Sequence, residues 1–110
     1  MRNDDVKLKV RLSEIQILPV KPRDGLVAFV SFVLDESYYV ADVAIYSRLD
    51  QDGYRLVYPM RTLANGARVN AFHPIRKDVA QEIERQVSEA YRELLQKVEK
   101  GREQEGKASD

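Results

Sequence analysis

Positions 26–34 read Leu-Val-Ala-Phe-Val-Ser-Phe-Val-Leu, an almost continuous apolar run broken only by Ser31. At about half the roughly 18 residues a membrane helix requires, the run is too short to span a bilayer. Its Val and Phe content, and the turn residues Asp24-Gly25 before it and Asp35-Glu36-Ser37 after it, make it a β-strand buried on both faces. The rest of a chain this size, 110 residues, has to cover that strand, and one domain is all such a length supports.

The flanking segments supply its neighbours. Val6, Leu8, Val10 and Leu12 alternate with Lys7, Lys9 and Arg11, the period of a half-buried strand. The apolar phase then shifts to Ile15 and Ile17, which places a bulge near Ser13. Pro19 to Gly25, with two prolines and an Asp-Gly pair, reads as a loop. Tyr38–Tyr46, β-branched and aromatic, returns antiparallel to the central run. Asp50-Gln51-Asp52-Gly53 turns the chain into a fourth strand, Tyr54 to Pro59. Asn65-Gly66 then marks a tight hairpin before a short fifth strand, about Arg68 to Phe72.

The last element is a helix. Val79, Ile83, Val87, Ala90, Tyr91, Leu94 and Val98 recur at three- and four-residue steps and form one apolar stripe. Asp78 is the expected N-cap, with Gln81 completing a capping-box-like pair. Arg85 with Glu89, and Glu93 with Lys97, are i,i+4 pairs worth about 0.2–0.5 kcal/mol each. The expected fold is therefore α+β: a five-stranded antiparallel meander followed by a long C-terminal amphipathic helix. Residues 1–100 form the domain, and residues 101–110, with nothing to bury, are expected to be a disordered tail. One helix covers one face of a sheet, so the other face, apolar as well, is expected to meet a second copy in a homodimer.

Composition narrows function. Eighteen Lys plus Arg balance eighteen Asp plus Glu, so no global field draws in a polyanion, and nucleic-acid binding would need a local patch and modest affinity. There is no cysteine, hence neither a disulfide framework nor a thiolate metal site, in keeping with a reducing cytoplasm. Neither a signal peptide nor a membrane span is read. His73 is the sole histidine and has no triad or metal-set partner at a motif spacing; beside Pro74 it reads as a strand terminator. Glycines stand alone at turns or in the tail, so there is no phosphate-binding loop. Asp35, Glu36, Asp42, Asp50 and Asp52 offer no acid/base couple. The chain reads as a binding protein, not an enzyme, with no cofactor and no small-molecule substrate.

An ordered set of short motifs resembles the SpoVG family, the stage V sporulation protein G or septation-protein group of bacteria. The motifs are Val6-Lys7-Leu8, Ser31-Phe32-Val33-Leu34-Asp35, Tyr39-Val40-Ala41-Asp42-Val43, Asp52-Gly53, Leu56-Val57-Tyr58-Pro59, Asn65-Gly66 and Ala71-Phe72-His73-Pro74-Ile75. The resemblance covers about residues 6 to 95. It implies a cytoplasmic regulator of gene expression that binds DNA, and in some members RNA, as a dimer, through basic residues around the final loop and helix start. Three features depart from the family pattern: the Pro19–Gly25 loop is longer than usual, and the other two lie at the candidate contacts. Arg61 is followed by Thr62 where a Lys-Arg pair is usual, and the helix entry is Arg76-Lys77-Asp78 where many members are rich in Ser and Thr.

The candidate nucleic-acid contacts are Arg61, Arg68, Arg76 and Lys77, with Arg85 two turns into the helix as a weaker one. A guanidinium donates two bonds to one phosphate, and a helix N-terminus adds favourable partial charge. If the hairpin and the last strand converge, the first four gather at one end of the sheet. The plain alternative is a solvated surface offset by neighbouring carboxylates. Tyr38, Tyr39, Tyr46, Tyr54 and Tyr58 fall in strands and suit core or interface better than a base-stacking platform. The competing functional class is a protein-interaction or scaffold module without nucleic-acid contact.

Overall fold

The computed structural model describes residues 9–49 and 51–108, with side chains as far as Gly101. Its elements are β1 (Leu12–Arg23), β2 (Leu26–Leu34), β3 (Tyr38–Ser47), β4 (Tyr54–Val57), β5 (Met60–Thr62), β6 (Arg68–Asn70) and α1 (Lys77–Ala108). The first four form an antiparallel sheet in the order β1-β2-β3-β4, while β5 and β6 pair separately as a two-stranded ribbon. The α+β class and the meander order follow the sequence reading. The strand count does not: among the described residues six strands in two sheets replace five in one. Met60–Thr62 is the strand not foreseen. The last strand pairs with it (Arg61↔Val69, Thr62↔Arg68) and not with β4.

The central run is β2, with the bounds expected. Ala28, Val30 and Phe32 are fully buried, while Val27, Phe29, Ser31 and Val33 between them are half-buried. Only one face is therefore sealed within this chain, a correction to burial on both. The bulge near Ser13 is present: pairing skips from Ser13↔Val33 to Gln16↔Ser31, and Glu14 takes φ 48°.

The loop expected at residues 19–25 is instead the second half of β1. Pro19 pairs with Ala28 and Arg23 with Leu26. The prolines are tolerated because β1 is an edge strand, whose outward N–H positions need no partner. Asp24 (φ 53°) and Gly25 (φ 91°) are the turn itself, the paired left-handed conformations of a type I′ hairpin. At its other end β1 begins at Leu12, opposite Leu34. The strand start expected at Val6 falls in residues, Val6 to Leu8, that lie outside those described.

Helix α1 packs across the sealed face. Ile83, Val87 and Tyr91 join Ala28, Val30, Phe32, Val40, Val43 and Ile45 in one core, with Leu12, Ile15, Ile17, Leu56 and Val79 around it. Burying a side chain such as Phe32 or Ile83 contributes about 1.5–3 kcal/mol. Two polar contacts fix the helix in register. Gln86 accepts from the Leu12 N–H at 3.2 Å and donates to the Val10 carbonyl at 2.7 Å, replacing the backbone partner that the start of β1 lacks. Arg48, at the end of β3, donates to Glu84 at 2.8 Å. Farther along, Val98, placed on the core stripe by its spacing, is exposed, as is Leu95. The helical backbone runs on to Ala108, past residue 100 where the sequence reading ended the packed domain.

Candidate nucleic-acid interface

The ribbon is built by its turn. The Asn65 side chain accepts from the Ala67 N–H at 2.9 Å, Gly66 takes φ 89°, and the Gly66 N–H donates to the Leu63 carbonyl at 2.9 Å. A bond from the Ala71 N–H to the Pro59 carbonyl at 3.0 Å closes its base. Both strands are exposed throughout. The register has a consequence for the candidates. Arg61 stands opposite Val69, and Arg68 stands opposite Thr62, so the two arginines lie on opposite faces of the ribbon. They do not make one patch. Among the described residues neither has a carboxylate within 4.0 Å.

The helix entry differs from the expectation in detail. The first helical bond runs from the Ala80 N–H to the Arg76 carbonyl at 3.0 Å, which makes Arg76, not Asp78, the cap position. Asp78 lies within the first turn, where its carboxylate suits the helix dipole. Its Oδ1 accepts from the Val79 N–H at 2.8 Å and from Arg76 Nε at 3.1 Å, and its Oδ2 takes a second bond from the Arg76 guanidinium. The Arg76 bonds are the first cause of an Asp78 carboxyl held below its usual value. Arg76 thus presents little uncommitted charge, whereas Lys77 beside it is exposed and unpaired among the described residues.

Arg85 is committed further. It donates to Glu82 at 3.0 and 2.7 Å and to Glu89 at 2.8 Å, so the i,i+4 pair with Glu89 forms as expected. Glu82 is pulled down to about 2, chiefly by the bonds from Arg85 and then by that from Gln86. Of the five candidates, Arg61, Arg68 and Lys77 retain uncommitted charge, and Arg76 and Arg85 are bridged to carboxylates. His73 contacts only the neighbouring Pro74 carbonyl, at 3.2 Å. Among the described residues no three His, Cys, Asp or Glu side chains are grouped to hold a metal ion, and no helix is long and apolar enough to cross a membrane.

Three arginines escape the sequence reading. Arg55 on β4 lies 4.7 Å over the Tyr46 ring of β3, Arg92 of α1 lies 5.6 Å from the Tyr54 ring, and Arg48 sits nearby at the end of β3. Nothing in their spacing links them. Only the β3–β4 register and the helix crossing bring them to one corner of the sheet.

An antiparallel meander sealed on one face by a single long helix, with an exposed ribbon carrying two arginines between sheet and helix, defines a small α+β domain. The SpoVG family profile matches residues 10–93, most of the chain, and the protein belongs to that family. A relative from Treponema denticola, described as "Putative septation protein SpoVG", is 26% identical over 82 residues, covering 74% of this chain and 86% of its own.

Proposed function

We propose that this protein is a regulator of the sporulation or septation type that binds DNA or RNA as a homodimer, using Arg61, Arg68 and Lys77 for phosphate contact. Family membership and the name carried by the Treponema denticola relative support the septation-related role. The single observation that carries the nucleic-acid reading is the ribbon. Arg61 and Arg68 project from opposite faces of a narrow exposed hairpin without carboxylate partners among the described residues. Such a hairpin, entering a groove, would meet a phosphate strand on each side. Zero net charge limits a single chain to modest affinity, and pairing two copies supplies the missing avidity.

The experiment is fluorescence anisotropy on random-sequence duplexes and single strands over a salt series. Wild type should bind with a steep salt slope. The double variant Arg61→Ala/Arg68→Ala should flatten that slope by about 1.4–1.8 in log–log terms, the value of two lost phosphate contacts. A salt-independent interaction, or no binding at low salt, replaces this reading with that of a protein-interaction module.

A further inference from the structure

We infer a second phosphate-binding site, distinct from the ribbon, in the cleft between the β3–β4 turn and α1, made by Arg48 and Arg92 over Gly53. The inference rests on the nucleic-acid reading above and names where else on the molecule a backbone phosphate is held.

Two guanidinium side chains converge on one glycine. A Cβ on Gly53 would stand 3.8 Å from Arg48 Cδ, 3.9 Å from Arg48 Nε and 3.9 Å from an Arg92 terminal nitrogen. Gly53 takes φ +113°, a conformation only glycine adopts without strain, and its carbonyl accepts from the Arg48 N–H at 3.0 Å. The turn therefore fixes the floor of the cleft and keeps it bare. Arg92 is braced by the Tyr54 ring, which is itself held edge-on by Tyr91 at 5.0 Å and 88°. Arg48 is anchored from one side by Glu84 at 2.8 Å, and its side chain remains 30% exposed.

The charge in the cleft is unbalanced where the two side chains meet. Glu84 answers Arg48. Among the described residues no carboxylate reaches Arg92 within 4.0 Å, and Asp52, which also lines the cleft, pairs with neither guanidinium. Arg48 and Arg92 are held side by side by rigid neighbours, with Glu84 and Asp52 as the carboxylates of the cleft and Arg85, bridged to Glu82 and Glu89, as its third cation. Holding the two guanidinium groups in place lowers the cost of gathering donors around an anion. The planar forks of arginine match a phosphate bidentately. The cleft is open to solvent, so it suits a phosphate on a strand passing across the sheet corner.

The test uses the full chain, a twelve-residue oligothymidine, and two readouts: anisotropy over a salt series and the arginine Nε–H resonances. On the site reading, the strand shifts the Arg48 and Arg92 resonances, and Arg92→Gln weakens binding about tenfold while lowering the single-strand salt slope by about 0.7. Arg92→Lys, which keeps charge but not the fork, should retain the slope and lose part of the affinity. Arg92 is exposed, so these variants should unfold at the wild-type temperature. If the strand binds but the two resonances stay still and Arg92→Gln matches wild type, the site is overturned and the ribbon reading stands. If wild type binds no nucleic acid, both fall together.

Discussion

At the scale of single residues, Tyr58 is the least comfortable group in the fold. Its hydroxyl is buried and, among the described residues, alone lacks a hydrogen-bond partner, while its ring packs on Phe72 at 5.8 Å. Burial, and then the charge of Glu84, push its ionisation up to about 12. A buried unpartnered hydroxyl costs about 1–3 kcal/mol, so Tyr58→Phe should leave stability unchanged or raise it by about 1 kcal/mol, read from urea unfolding. The pH dependence has a definite sign. An acid whose folded pKa is raised favours folding below its unfolded value of 10.0 and loses that contribution as pH rises toward about 12. The advantage of wild-type stability at neutral pH over that at pH 11 should therefore shrink in Tyr58→Phe; an unchanged difference would remove Tyr58 as its source. None of this was legible in the sequence, where Tyr58 is one strand tyrosine among five. The candidate arginines show the same limit. Spacing identified Arg85 with Glu89, because i,i+4 neighbours are fixed by helix geometry. It did not show that Glu82 also binds Arg85, or that Asp78 holds Arg76.

At the scale of elements, the pattern in the sequence was strongest where one physical demand acted alone. The bounds of β2 follow from apolar content between turns, and the Ser13 bulge follows from a phase change that only an extra residue can produce. Reading failed where a strand's place in the sheet decided the outcome. Pro19 and Pro22 oppose pairing in a central strand but not on an edge, and edge position is a property of topology. Likewise Met60–Thr62 is too short to show a period and becomes a strand only because β6 folds back on it. The start of β1 depends on a contact across 74 and 76 residues of chain, the Gln86 amide with Leu12 and Val10. Gln86→Ala leaves a backbone N–H and a carbonyl without that partner, and should destabilise the fold by about 1–2 kcal/mol. The loss should be local as well as global: amide exchange at Leu12 should accelerate more than at Val30 or Ile45. Equal acceleration at all three would mean the amide contributes only to overall stability and does not hold the strand entrance.

For the whole molecule, the open face of the sheet is where the proposed homodimer would form. Register places Leu18, Phe29, Ala44 and Val57 in one row across all four strands, with Val33 beside Tyr39 and Tyr46 beside Arg55 on the same side. Ala44 is covered by its neighbours, yet Leu18 is 67% exposed and Tyr39 70%. A continuous apolar row is uncommon on the surface of a monomer, and helix α1 is already engaged on the opposite face. A second copy, meeting this face by a two-fold axis, would set the same row against itself. A stable interface of that kind removes about 800 Å² per partner, roughly a tenth of the 8822 Å² the chain exposes. Light scattering at micromolar concentration should therefore give twice the 12.7 kDa of one chain. Leu18→Glu/Tyr39→Glu, which alters only exposed positions, should return a folded particle of 12.7 kDa. That variant also separates assembly from contact. If avidity sustains nucleic-acid binding, the monomeric double variant should bind more weakly than wild type while every candidate arginine remains in place. A wild-type mass of one chain would end the dimer reading, and single-chain contacts would then have to account for all of any binding observed.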